Sequence, residues 1–177
     1  EVLTISKRGF EIIKKYQDQG LHLPVRATHQ AAGYDFEAAE DVVIPSIWKS
    51  GAGLMTIKNL LFDAQKAQRT LKPTLVPTGI KAYMPTDEFL QLANRSSNPL
   101  KRFLLLANGV GVIDADYYNN PDNEGHIMFQ FVNFGVTDVT IKKGERIGQG
   151  IFLPFLKADQ DETMSTRAGG FGSSNQE

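Results

Sequence analysis

The sequence predicts an all-β fold of the jelly-roll or β-sandwich kind, on three observations. Short runs rich in β-branched and aromatic residues recur along the chain, at residues 75–80, 82–85, 126–133, 136–141 and 147–155. Proline or glycine interrupts such runs at short intervals, as at Pro24, Pro45, Pro77, Gly79, Pro85 and Gly144. Helical spacing of apolar residues is confined to residues 8–20 and 53–70.

Residues 8–20 place Phe10, Ile13 and Tyr16 at helical spacing before Gly20, which predicts a short N-terminal helix with a glycine cap. Residues 21–28 contain Pro24 and read as extended. Residues 31–36 lead into an alternating run that stops at Ile44-Pro45. Residues 53–70 form the clearest helical stripe, with Leu54, Ile57, Leu61, Ala64 and Gln68 on one side and Pro73 beyond the end. That segment is expected to dock as a surface helix on the β core. Residues 75–80 and 82–85 read as strands at edges or bends, and residues 87–94 as a strand or one helical turn.

Asn108-Gly109 is a strong turn pair, so residues 108–117 predict a tight hairpin in which Gly111 admits a close neighbour. Val112-Ile113 is strand-like. If the segment stays extended, Asp114 and Asp116 share one face. By itself the stretch reads either as a solvated turn or as a site, because acids gathered on a buried face need a cation, a donor or a proton. A polar loop follows at 119–125, then an apolar strand at 126–133 interrupted by Gln130. A turn at 142–145 introduces the strand at 147–155. Residues 157–177 lose periodicity and are expected to be mobile. The chain thus divides into an extension at 1–22 with a short helix, a β core at 23–156 carrying the helical insertion near 53–70, and a flexible C-terminal arm at 157–177.

Composition narrows the function classes. A length of 177 residues suits one domain with a sizeable core, and a net charge of −1 gives no electrostatic footprint for nucleic acid. Cysteine is absent, which removes disulfides, thiolate metal sites and cysteine nucleophiles. No apolar run is long enough to span a bilayer and no signal-peptide core is evident, so a cytoplasmic protein without membrane association is expected. His22, His29 and His126 lack metal-ligand spacing and read as surface or hydrogen-bonded residues. Trp48 and the phenylalanines read as core and subunit contacts.

Five segments in order carry a resemblance: Ala32-Gly33-Tyr34-Asp35, Arg95-Ser96-Ser97, residues 109–117, Gly144-Glu145-Arg146-Ile147-Gly148-Gln149, and Arg167-Ala168-Gly169-Gly170-Phe171-Gly172-Ser173-Ser174. Together they closely resemble the five motifs of the homotrimeric dUTPases. The resemblance covers about residues 23–174 and is most specific in the third motif. It implies a jelly-roll β-sandwich that hydrolyses dUTP to dUMP and pyrophosphate with Mg²⁺, supplying dUMP and keeping uracil out of DNA.

The same resemblance implies roles. Asp114 would orient and deprotonate the water that attacks the α-phosphorus, beside the sugar 3′-hydroxyl. Arg95, Ser96 and Ser97 would grip the phosphates, with Gln149 touching them as well. Asn108, Gly111, Val112, Ile113 and the backbone around Met128 would form the slot that reads uracil, and Tyr117 would pack on the deoxyribose. Asp35 would hold a water on Mg²⁺ that is itself held mainly by the triphosphate. The tail would close over the nucleotide, with Phe171 on uracil, Arg167 at the γ-phosphate, and Gly172 and Ser173 alongside. Each site would draw on three chains.

This chain departs from the family pattern in places. The spacing from Arg167 to Phe171 is one residue shorter than usual, and the segments at 53–70 and 119–125 lengthen two intervals. Gly148 stands where alanine is commoner and is expected to be neutral, while Arg146 is expected to pair with a carboxylate. Residues 125–133 are similar to the catalytic strand of dCTP deaminase, but Gln130 stands where that relative has a glutamate, and an amide cannot shuttle protons. Two alternatives differ in class: a phage-type enzyme that also binds a regulatory protein through the 53–70 insertion, and a catalytically silent nucleotide sensor.

Overall fold

The computed structural model describes residues 7–48 and 72–164, so the helix expected at 53–70 and the tail residues Arg167, Phe171, Gly172 and Ser173 lie outside the described residues. Among the described residues twelve strands run in chain order: β1 (Gly9–Ile12), β2 (Val25–Arg26), β3 (Tyr34–Glu37), β4 (Val42–Ile44), β5 (Thr74–Pro77), β6 (Ile80–Tyr83), β7 (Glu88–Asn94), β8 (Leu104–Leu106), β9 (Gly111–Asp114), β10 (Met128–Asn133), β11 (Val139–Ile141) and β12 (Arg146–Pro154). The all-β expectation holds.

The largest sheet has the order β2-β3-β12-β7-β9, and a three-stranded sheet has the order β5-β10-β8. Two antiparallel pairs, β1 with β6 and β4 with β11, complete the layers. Alternation explains the packing. In β10 the odd members Phe129, Phe131 and Asn133 are buried while Met128, Gln130 and Val132 are partly exposed. Phe129 and Phe131 meet Phe36 of β3, Leu90 and Leu92 of β7 and Ile147 of β12 in one apolar cluster that joins the two larger sheets.

The N-terminal helix does not form. Residues 9–12 instead pair with β6, and a single 3₁₀ turn, Lys14–Tyr16, follows. A short isolated helix is marginal, whereas strand pairing satisfies the backbone and packs Phe10 and Ile12 against the core. Tyr16 and Ile13 form a small satellite core with Ala39. Residues 87–94 resolve as strand β7. Trp48 is not a core residue: its ring is exposed and its indole N–H donates to the Phe134 carbonyl.

The expected hairpin at Asn108-Gly109 is also corrected. The strand before it, β8, pairs with β10, while the strand after it, β9, pairs with β7. The turn therefore carries the chain from one sheet to the other, with Gly109 at φ +70° and its N–H donating to Leu106 O. Ala107 N–H donates to Gln130 O, which ties the turn to β10. This crossing opens a gap between β9 and β10.

Candidate active site

The gap is a cavity of about 250 Å³ lined by Leu92, Asn108, Gly111, Val112, Ile113, Asp114, Tyr117, His126, Met128 and Gln130. Seven of the sequence-predicted residues meet there: Asn108, Gly111, Val112, Ile113, Asp114, Tyr117 and Met128. Gly111 packs closely on its neighbour, and a Cβ there would stand 3.0 Å from the Leu92 side chain. The free edges of the turn and of β9 present backbone donors and acceptors in fixed positions, which suits the reading of a planar base.

Asp114 ends β9 opposite Phe89 of β7 and is partly exposed. Strand geometry stops there. A 3₁₀ turn, Ala115–Tyr117, rotates the chain so that Asp116 is exposed and does not share a strand face with Asp114. The same turn buries Tyr117, whose hydroxyl donates to the His126 carbonyl at 3.1 Å. Asp114 also borders a second cavity, of about 240 Å³, with Phe89, Val112 and Phe155.

His126 and Leu92 are wall residues that sequence reasoning did not place in the site, and Gln130, which the resemblance set at the deaminase's catalytic position, lines it too. His126 is buried and its Nε2 accepts the Gly79 N–H at 2.9 Å. Burial lowers its pKa to about 4, with Lys15 acting in the same direction, so the ring is neutral at physiological pH. The strand expected to begin at His126 begins at Met128, so His126 lies just ahead of β10, and its turn toward Gly79 was not legible.

The cationic residues gather elsewhere. An open cavity of about 340 Å³ is lined by Arg95, Ser97, Lys101, Arg102, Glu145 and Arg146. Ser96 is exposed beside it. Arg95 follows the end of β7, and a π turn, Asn98–Arg102, returns the chain. Asn98 is buried and donates to Asn94 Oδ1 at 2.7 Å and Ile147 O at 2.8 Å, which anchors the serine loop to β12. Lys101 and Arg102 enlarge the positive lining and were also missed. They sit one helical turn past Ser97, a spacing that signals nothing without the π turn.

Asp35 organises this end. It is buried on β3, where Arg146 Nη1 and Gln149 Nε2 each donate to its carboxylate at 3.2 Å. Arg95 Nε lies 3.7 Å from Asp35 Oδ1, and Arg95 Nη1 donates to Arg146 O at 3.2 Å. The β3–β12 register, with Gln149 opposite Asp35, brings the pair together. Gly33 makes room for Gln149, whose Oε1 would lie 2.9 Å from a Cβ there. Two guanidinium groups and an amide are thus fixed by one carboxylate, an arrangement able to receive phosphate oxygens.

A cationic cavity, a backbone-framed slot and a carboxylate on the slot wall together suit a nucleotide-processing β-sandwich. A family model described as dUTPase matches residues 63–175. The deoxyuridine 5′-triphosphate nucleotidohydrolase of Lactococcus lactis subsp. lactis is 48% identical over 168 residues, 94% of this chain and 96% of that one. The chain belongs to the dUTPase family, and it hydrolyses dUTP to dUMP. The crystal structure of dUTPase from Streptococcus mutans matches with a TM-score of 0.69 at 47% identity, covering 85% of this chain and 98% of that one. A variant dUTPase from phage phi11 of S. aureus, described with a structural Mg(II) ion, matches with a TM-score of 0.61 at 14% identity over 90% of this chain and 98% of its own, a likeness of fold alone.

Proposed function

We propose that hydrolysis occurs by attack of water on the α-phosphorus, with release of pyrophosphate and with Asp114 as the general base. The observation that carries this reading is the cavity whose wall includes Asp114 together with Asn108, Gly111, Tyr117 and Met128. Uracil enters the slot between the 108–111 turn and Met128, and the deoxyribose lies against Tyr117. Asp114 accepts the proton of the attacking water, and the bond from the α-phosphorus to the bridging oxygen breaks as pyrophosphate leaves. Arg95, Ser96, Ser97 and Gln149 hold the phosphates. Gln130 lines the same slot, and its amide gives no acid or base for deamination there.

Mg²⁺ fits the donor set if the triphosphate supplies most of its ligands. Among the described residues no group of three or more His, Asp or Glu gathers to hold a metal. Asp35 offers hard carboxylate oxygens, each with a second lone pair beyond its bond to Arg146 or Gln149. When bound, Mg²⁺ would spread the phosphate charge and favour departure of pyrophosphate.

The site is completed in a homotrimer. Support comes from the separation of its parts, since the nucleoside cavity and the phosphate cavity share no lining residue. The outward face of the β5-β10-β8 sheet exposes Leu75 and Leu105, apolar surface suited to contact with another copy. The arm residues Arg167, Phe171, Gly172 and Ser173 close over the nucleotide.

The test is pyrophosphate release from dUTP, dCTP, dTTP and UTP, with and without Mg²⁺, on the unaltered chain. Release confined to dUTP and dependent on the metal is expected. Turnover of dUTP that survives complete chelation would overturn the metal reading, and ammonia from dCTP would overturn the use made of Gln130.

A further inference from the structure

The loop at 119–125 makes a bracket around one wall residue of the nucleoside cavity. Asn123 Nδ2 donates to the Tyr117 hydroxyl at 2.8 Å, while that hydroxyl donates to His126 O at 3.1 Å. The phenol is thus held on both sides. Asn123 is itself fixed, because its Oδ1 accepts from Asn120 Nδ2 at 2.8 Å and from Gly125 N–H at 3.0 Å. Asn120 is buried and also donates to the Tyr117 carbonyl at 2.9 Å.

The far side of the loop is clamped to the core. Lys81, a buried side chain on β6, reaches Asn119 Oδ1 at 2.6 Å and Glu124 Oε1 at 3.1 Å. Glu124 Oε2 accepts the Lys14 N–H at 3.0 Å. A loop that served merely to join Tyr117 to β10 would need none of this. Burying a lysine needs compensation, and here two of its partners are loop residues, with Glu11 Oε2 of β1 at 3.6 Å as the third.

We propose that Asn123 is a specificity-determining positioning residue, holding the Tyr117 ring where the sugar meets it so that a ribose cannot push it aside. The inference rests on the reading of Tyr117 as the pentose wall given above. A steric discriminator works only while the ring cannot retreat, and rotation of Tyr117 would break the Asn123 and His126 bonds together. Asn123 therefore acts on the difference between dUTP and UTP rather than on the chemical step.

The test compares kcat/KM for dUTP with kcat/KM for UTP in the full chain, in Asn123→Asp and in Asn123→Ala. Asn123→Asp keeps the Oδ1 acceptor that shapes the loop but removes the donor, and one phenolic proton cannot serve two acceptors. A narrowing of the dUTP-to-UTP ratio by about fivefold is expected, the size of one buried hydrogen bond. A merely structural role would lower the yield of folded enzyme without moving this ratio, because active concentration cancels in it. If Asn123→Ala does not accumulate, Asn123→Asp decides alone. Tyr117→Ile is the control. A changed ratio there with an unchanged ratio in Asn123→Asp overturns the inference; an unchanged ratio in both overturns the reading of Tyr117 and the inference with it.

Discussion

Gly148 of β12 lies directly under the ring of Phe129 on β10, so close that a Cβ at residue 148 would collide with the ring edge. Phe129 is fully buried between Phe36 and Phe131 and has no room to withdraw. The family's commoner alanine is therefore not neutral in this chain, contrary to the expectation from sequence. Gly148→Ala should destabilise the fold by about 1–3 kcal/mol, the usual cost of overpacking. A urea titration would show it as a lower midpoint with an unchanged slope; an unshifted midpoint would mean the ring moves freely.

Asp114→Asn should lower kcat for dUTP by about 10²- to 10⁴-fold, as expected for loss of a general base. Binding of dUTP should persist, because the amide keeps the shape of the carboxylate at the cavity wall. Calorimetric titration beside single-turnover rates separates the two effects. Retained kcat would leave Asp114 as a wall residue and remove it from the chemistry.

The neutral, buried His126 makes stability depend on pH. Its folded pKa of about 4 lies below the unfolded value of 6.5, so the unfolded chain binds the extra proton first. The stabilisation is fully present above about pH 6.5 and is lost as pH falls toward 4, to a limit on the order of 3 kcal/mol. His126→Gln offers a neutral acceptor to Gly79 N–H and should flatten the loss across that window. Equilibrium unfolding at pH 7, 5.5 and 4.5 provides the comparison, and parallel losses in both proteins would assign the acid sensitivity to other groups.

Removing the carboxylate in Asp35→Ala leaves Arg146 and Gln149 without a shared acceptor and frees Arg95 to drift. Arg146 is about half exposed, so water compensates part of the loss, and the cost to stability should be about 1–2 kcal/mol. The larger effect should fall on phosphate binding, with KM for dUTP rising about tenfold. A KM that stays constant would show that the guanidinium groups need no such anchor.

Much of the architecture follows from local pattern. Strands β5, β10 and β12 lie largely within the apolar, β-branched runs read as strands, while the break expected after Ile80 falls at Thr78-Gly79, so that Ile80 opens β6. The turn was legible for a different reason: Gly109 adopts a left-handed backbone that few other residues accept, and Asn-Gly is a strong turn pair. Residues 9–12 show where pattern fails. Phe10 fits both a helical and a strand period, and the free edge of β6 decided between them.

By itself, then, the sequence determined the all-β class, several of the strand segments and the turn at Asn108-Gly109, since these depend on local backbone preference, and its five ordered motifs carried the resemblance to the dUTPases. Tertiary structure alone decided that the 108–109 turn crosses between sheets, that Asp35 gathers Arg146 and Gln149, and that loop 119–125 closes on Tyr117. Those outcomes rest on register and packing between residues far apart in the chain. No local preference encodes how β9 and β10 separate, and that separation is what makes the cavity.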